Sequence, residues 1–326
     1  METKRFWKRR ISALGLSIVS IFSLSCPAFA SSVNDVSANA AALEQGKSVL
    51  ESSGMSADTI ASLFTNEEVM EYADMEYIGS SETQYVKFSH DGSVSSLTES
   101  EFIEGATAEA ERREAAVQSI MASRATSIDK GEQLEDLADS FDGYLSWSLS
   151  VYRRYNVEET YHLVGSYEWE TAPSALGNDV FAVTYNSNLT YCDDYAPSYS
   201  FYSKIYMLTG GSVIPVDHVS FDDEDRLSFD DGGVSVVQDL KEDCPSGGMG
   251  YAYTTKNHAG QISYDVIVDN SSATAATVYA QYYHQKNEAN VGISVSIPRG
   301  GSVSLSNSKN HEKASGNPHI TFAVNE

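Results

Sequence analysis

Positive charge, cysteine and long apolar runs are all scarce in this chain of 326 residues. It holds 21 lysines and arginines against 46 aspartates and glutamates, and only three cysteines. The shortage of basic residues excludes recognition of nucleic acid or anionic lipid through a positive face, since both need one to displace counterions. No apolar run after residue 30 is long enough to cross a bilayer, so no membrane span is expected in the mature chain. There is no HExxH helix and no histidine pair at i, i+4 among positions 90, 162, 218, 258, 284, 311 and 319. A zinc site is therefore not indicated, and no cofactor pattern is found. Asp217 and His218 are adjacent, but neighbours on a strand point to opposite faces and cannot ligate one ion from there.

What is present begins with a leader. Lys4, Arg5, Lys8, Arg9 and Arg10 precede an apolar run from Ile11 to Leu24, and Ala28-Phe29-Ala30 offers small residues for cleavage between Ala30 and Ser31. Lipidation at Cys26 is the weaker alternative, because Ser23 stands where a lipobox has leucine and Pro27 follows. Secretion is expected. Removing the leader's five basic residues and Glu2 leaves 16 basic and 45 acidic residues, a formal charge of −29. Such a charge keeps an exported protein soluble. Cys192 and Cys244 remain, and outside the cytosol they are expected to form one disulfide. The loop they close is worth up to about 4 kcal/mol on the chain-entropy model.

Three regions are expected: a signal peptide over 1–30, a helical region with one β-hairpin over 31–126, and an antiparallel β-rich body over 127–326. Ser56 is placed to cap "ADTIASLF" and Asn66 to cap "EEVMEYADM". "TQYVKFSHDGSVSSLT" reads as a hairpin turning at Asp91-Gly92. A long helix follows from about Glu99 to Ser123, with so few large apolar residues that it packs along one narrow stripe or extends from the body. The period then becomes two. Leu145, Trp147, Leu149 and Val151 alternate with Ser146, Ser148 and Ser150, and Tyr161, Leu163, Tyr167 and Trp169 share one side of the next strand. About a dozen short strands punctuated by turns, "GYAYTT" and "ISYDVIVD" among them, predict a mainly β fold. The expected form is a sandwich, or a pair of small ones, with a jelly roll or irregular barrel left open.

"SSGMSADTIASLFTNEEVMEYAD" and "YVKFSHDGSVSSLTESEF" resemble the leader region of secreted proteins of Gram-positive gut bacteria. "SYEWETAP" and "TVYAQYYHQ…SVSIPRGGSVSLS" resemble the β-rich body of the same group. The resemblance implies secretion and the helix-then-strand layout. That group has no assigned activity and supplies no catalytic residues.

No catalytic constellation emerges. "CPSGGMG" places Ser246 before two glycines, but Pro245 stands where the chymotrypsin family has aspartate, and a turn after a cysteine explains it better. Opposed carboxylates for glycoside hydrolysis cannot be picked from 45 acids. The strands are too short for a membrane-spanning β-pore. Tyrosine is more informative: 20 are present, with dense stretches at Tyr191, Tyr195, Tyr199 and Tyr202 and at Tyr279, Tyr282 and Tyr283. Aromatic faces with hydroxyls stack on sugars, although tyrosine also suits half-buried strands. The first four are the candidate ligand contacts, since Asp193, Asp194 and Pro197 break that stretch into a loop.

"SFDDEDRLSFDD", residues 220–231, places six carboxylates and one arginine in twelve positions. A calcium site through Asp222, Asp223, Asp225, Asp230 and Asp231 is the weaker reading, because neither register puts oxygen ligands and glycine where an EF-hand-like loop needs them. The stronger one is a three-strand meander with acidic tips, turning at "DDED" and at Asp231-Gly232. The expected function is a secreted, non-catalytic binding module for a glycan or a protein partner. A secreted hydrolase, or a precursor whose N-terminal segment is cut away near Arg124, are the alternatives.

Overall fold

The structure is a computed structural model. It describes residues 29–123, 140–155, 159–173, 177–209, 212–220, 226–240, 253–286 and 293–325. The chain divides into two compact units, Met1–Ala40 and Ala41–Glu326. Among the described residues four α-helices belong to the N-terminal part: α1 (Phe29–Ser52), α2 (Ala57–Leu63), α3 (Asn66–Glu71) and α4 (Glu99–Ala122). Between α3 and α4 run β1 (Met75–Ser80), β2 (Gln84–Phe88) and β3 (Val94–Ser96). Then follow β4 (Gly143–Arg154), β5 (Thr160–Thr171), β6 (Asn178–Tyr185), β7 (Leu189–Tyr191), β8 (Ser198–Thr209) and β9 (Ser212–Ser220). Next come β10 (Leu227–Asp230), β11 (Gly233–Asp239), β12 (Tyr253–Val268) and β13 (Ala275–Gln285). The last are β14 (Val295–Ser296), β15 (Ser304–Leu305), β16 (His311–Lys313) and β17 (His319–Ala323).

Among the described residues every pairing is antiparallel. A nine-stranded sheet runs β3-β2-β4-β5-β12-β8-β9, with β1 added on β4 and β7 on β12. A six-stranded sheet runs β10-β11-β6-β13-β16, with β17 on β13, and β14 and β15 form a small ribbon. The inner faces of the two large sheets share one apolar core. Leu145, Trp147, Leu149, Val151, Leu163, Tyr167 and Trp169 of the first meet Phe181, Val183, Val234, Val236, Val278 and Tyr282 of the second. This is the β-sandwich that the period-two alternation predicts. The sheets come close at Gly165, where a Cβ would lie 2.2 Å from Val183 Cγ2.

The outer face of the larger sheet is covered by the helical region. Ile60, Leu63, Phe64, Val69 and Tyr72 pack on Tyr152, Val164 and Ala259. Ser56 caps α2 as expected, its Oγ accepting from Thr59 N at 3.0 Å. The cap of α3 is Thr65 rather than Asn66: Thr65 Oγ1 accepts from Glu68 N, and the Glu68 carboxylate accepts from Thr65 N at 2.7 Å. That reciprocal box satisfies two orphan donors where Asn66 alone would satisfy one. Thr98 and Glu101 repeat it at the start of α4. Helix α4 buries a single stripe, Phe102, Ala106, Glu109, Arg113 and Val117. Arg113 donates to the carbonyls of Asp142 and Ala172.

Two strand expectations need correction. "GYAYTT" and "ISYDVIVD" are not separate strands: β12, 16 residues from Tyr253 to Val268, joins the described end of the first to the second and absorbs a register shift between Thr255 and Asn257 against β8. A bulge lets a long strand twist without ending. The three-strand meander also fails, since β9 pairs with β8 in the larger sheet whereas β10 and β11 belong to the smaller one. The Asp231-Gly232 hairpin itself is present, with Asp230 opposite Gly233.

Candidate functional site

A depression bordered by aromatic and charged side chains lies where β7 of one sheet approaches the β10–β11 hairpin of the other. Tyr191 ends β7, held in register by Val266 of β12. Its ring sits 5.0 Å from Phe229 and 6.2 Å from Tyr264, centroid to centroid. Phe229, on β10, is 47% exposed, although apolar side chains of this size are normally covered. Together with Tyr185, Leu189, Thr190, Asp230, Asp231 and Arg299 these rings line a depression of about 500 Å³. Asp230 is oriented by the backbone: its Oδ2 accepts from Ile297 N at 2.6 Å and its Oδ1 from Asp231 N at 3.1 Å. The Ile297 N–H, followed by that of Asp231, holds the carboxyl below its ordinary value. Arg299 is held from behind by the Asp269 carboxylate and by the Ser187 carbonyl at 3.2 Å. The floor tyrosine, Tyr185, has its hydroxyl pushed up to about 12 by burial and acts as a neutral phenol. An aromatic face, two acceptors and a guanidinium donor therefore border one depression.

The four candidate tyrosines do not form one exposed surface. Tyr199 is fully buried in the sandwich core, its hydroxyl 3.2 Å from that of Tyr167. Tyr202, three residues on, falls on the opposite face of β8 beside the helical cover. Tyr195 precedes the strand and lies against the Arg154 guanidinium, 3.8 Å from the ring centroid. Only Tyr191 lines the depression. Two of the weak metal candidates, Asp230 and Asp231, stand beside it, while Asp222, Asp223 and Asp225 lie outside the described residues. Among the described residues no group of three or more histidine, cysteine, aspartate or glutamate side chains is placed to hold a metal ion.

Cys192 is buried just after β7, its N–H donating to the Asp265 carbonyl at 2.9 Å. Its sulfur lies 3.8 Å from Asp194 Oδ2, and burial raises the thiol's pKa. Among the described residues Cys192 carries no disulfide. Cys244 and Ser246 fall outside them, as do residues 1–28 of the leader and Arg124. Ala30 and Ser31 fall within α1.

Three histidines serve as partners of buried polar groups, which the sequence did not reveal. His162 Nδ1 lies 2.6 Å from Asp265 and its Nε2 3.0 Å from the Tyr72 hydroxyl, while Arg154 Nε donates to the other Asp265 oxygen at 2.6 Å. Burial alone would raise the Asp265 carboxyl, but His162 and Arg154 together hold it below its ordinary value. His284 pairs with Asp179 at 2.9 Å, beside the Tyr282 hydroxyl. His258 bridges Ser203 at 2.5 Å and Tyr167 at 3.1 Å. Each carboxylate–imidazole pair joins residues facing each other on neighbouring strands. Only the pairing register could have shown that. Tyr72, at the end of the first chain of bonds, is 2% exposed and offers a substrate no approach.

No family model matches the chain, and no curated protein sequence does. Solved structures give partial likenesses. The pilus backbone of Streptococcus pneumoniae has a TM-score of 0.22 at 8% identity, covering 53% of this chain and 70% of that one. The collagen-binding domain of a surface protein of Erysipelothrix rhusiopathiae has a TM-score of 0.20 at 9% identity, covering 56% and 66%. A structure from Fap1 fimbriae of Streptococcus parasanguinis, concerned with pH-induced modulation of adhesion, has a TM-score of 0.21 at 8% identity, covering 54% and 80%. At these scores no ligand or partner carries across. No helix among the described residues is long and apolar enough to cross a membrane.

Proposed function

We propose that the protein is an exported, non-catalytic module that binds carbohydrate at the Tyr191–Phe229 depression. The observation that carries this reading is Phe229, a phenylalanine left 47% exposed beside a second aromatic ring, with Asp230, Asp231 and Arg299 at its rim. A sugar ring has an apolar face for the aromatics and hydroxyls for the carboxylates and the guanidinium. The hydrolase alternative finds less support here. Asp230 and Asp231 are neighbours on one hairpin, whereas glycoside hydrolysis needs carboxyls opposed across the bond. The precursor alternative is likewise disfavoured, since β1 and β2 of the helical region are paired with β4. Export rests on the leader in the sequence.

A glycan array probed with the secreted chain and its Phe229→Ala variant tests the reading. Binding by the parent and its loss in the variant are expected. A blank array for the parent, or equal binding by both, would remove the carbohydrate assignment and leave a protein partner as the choice.

A further inference from the structure

We propose that a second, separate cleft beneath the helical cover binds a small polyhydroxylated amine, of the amino-sugar class. The cleft has a volume of about 330 Å³, near the lower size of small-molecule sites, and shares no residue with the Tyr191–Phe229 depression. Its walls come from the turn between α1 and α2, the β1–β2 connection, and the outer faces of β4 and β5.

The strand alternation explains its chemistry. Because Leu145, Trp147 and Leu149 face the core, Ser146 and Ser148 face outward, and Ser166 follows on β5. Elsewhere the helices cover this face with apolar contacts through Tyr152, Val164 and Ala259. Here a polar strip borders open volume instead. Ser56 and Thr59 supply hydroxyls from the helical side, and Ser81 from the β1–β2 connection. Each hydroxyl can donate one hydrogen bond and accept two, which suits a ligand carrying several hydroxyls.

The charge requirement comes from Glu168. It lines the same cleft and is half-buried, yet among the described residues it has no hydrogen-bond or ion-pair partner. Its cross-strand neighbours are Ser146 of β4 and Ala259 of β12, neither of them cationic. Glu170, two residues along the strand, adds a like charge. The other titratable groups on this face include Tyr152, Arg154, His162 and Asp265, held by one another or by Tyr72 of the helical cover, and Tyr202 and Lys204 of β8, with the Lys204 ammonium 6.0 Å from the Tyr202 ring. Burial, and then Glu170, raise the Glu168 carboxyl to about 7. A ligand ammonium would relieve that unpaired charge, because charge-assisted N–H···O bonds are the stronger kind. Hydroxyl walls around one unpartnered carboxyl thus select a polyol carrying one amine.

The test is calorimetric titration of the leader-free chain at about pH 7, where the amine of the probe is protonated, with glucosamine, and with glucose as the neutral arm. Glucosamine is expected to bind at least about tenfold more tightly than glucose, a difference that Glu168→Gln abolishes. Ser148→Val, which keeps the carboxyl but fills the cleft, is expected to weaken glucosamine by a similar factor. Phe229→Ala is expected to leave glucosamine binding unchanged, which separates this site from the one proposed above. Thermal melts of each variant verify folding. Absence of saturable glucosamine binding, or binding unaffected by both Glu168→Gln and Ser148→Val, would overturn the proposal. So would loss of binding in Phe229→Ala alone.

Discussion

Asp265 and His162 face each other across the β12–β5 pair with 2.6 Å between carboxylate and imidazole. Arg154 of β4 takes the second carboxylate oxygen, and Tyr72 of the helical region takes the far side of the imidazole. The chain of bonds therefore fastens the cover to the sheet through a carboxylate with no solvent exposure. Removing one member leaves the others buried without compensation. Asp265→Ala is expected to cost about 3–5 kcal/mol in urea unfolding. A loss below about 1 kcal/mol would show that the network is dispensable.

Acid should weaken the fold through depressed carboxyls. Burial opposes ionisation of Asp142, but hydrogen bonds from Lys87 and His90 lower it to about 2. Asp265 is lowered as well. Both bind protons less tightly in the folded than in the unfolded chain, so their contribution is complete above the unfolded value of 3.8. For Asp142 it is lost as the pH falls from there towards about 2, and for Asp265 it declines in the same direction. Lys87→Met should flatten this acid limb in thermal melts; an unchanged slope would discount the Asp142 cluster.

Glu168 works in the opposite sense. Its folded value of about 7 exceeds the ordinary 4.5, so the folded chain binds this proton more tightly than the unfolded one. Without ligand, stability is expected to fall as the pH rises from 4.5 to about 7 and to stay lower above that range. Glu168→Gln should match the parent at pH 4 and exceed it at pH 8, by on the order of 1 kcal/mol once solvent screening is allowed for. Equal melting temperatures at pH 8 would contradict the unpaired carboxyl.

Gly165 marks a close approach of the two sheets. Gly165→Val places methyl groups where even a Cβ would lie 2.2 Å from Val183 Cγ2 and 3.0 Å from the Phe181 ring. Overpacking of this kind costs about 1–3 kcal/mol or more, and a lowered melting temperature is expected. A melt identical to the parent's would mean that the sheets part at that point without cost.

Processing and redox state can be read from one spectrum. Intact mass of the protein secreted by a host cell is expected to correspond to a chain starting at Ser31, with reduction adding two hydrogens for a Cys192–Cys244 bridge. A mass unchanged by reductant would leave Cys192 as a buried free thiol.

The arrangement of elements was legible because it is written in local periodicity. Alternation at Leu145–Val151 and Tyr161–Trp169 determined both strand and inward face, since successive side chains on a strand must point oppositely. Asp91-Gly92 and Asp231-Gly232 marked their hairpins for the same local reason, with Gly92 at φ +84°. Tertiary structure alone decided which distant strands pair. It brought Tyr191 to Phe229 rather than to Tyr195, Tyr199 and Tyr202, and matched His162 with Asp265 across 103 positions. It also set Asp230 and Asp231, two of the six carboxylates in that stretch, at a hairpin tip beside an aromatic depression. Sheet register is a non-local property, and periodicity specifies the face of each residue without naming its neighbour.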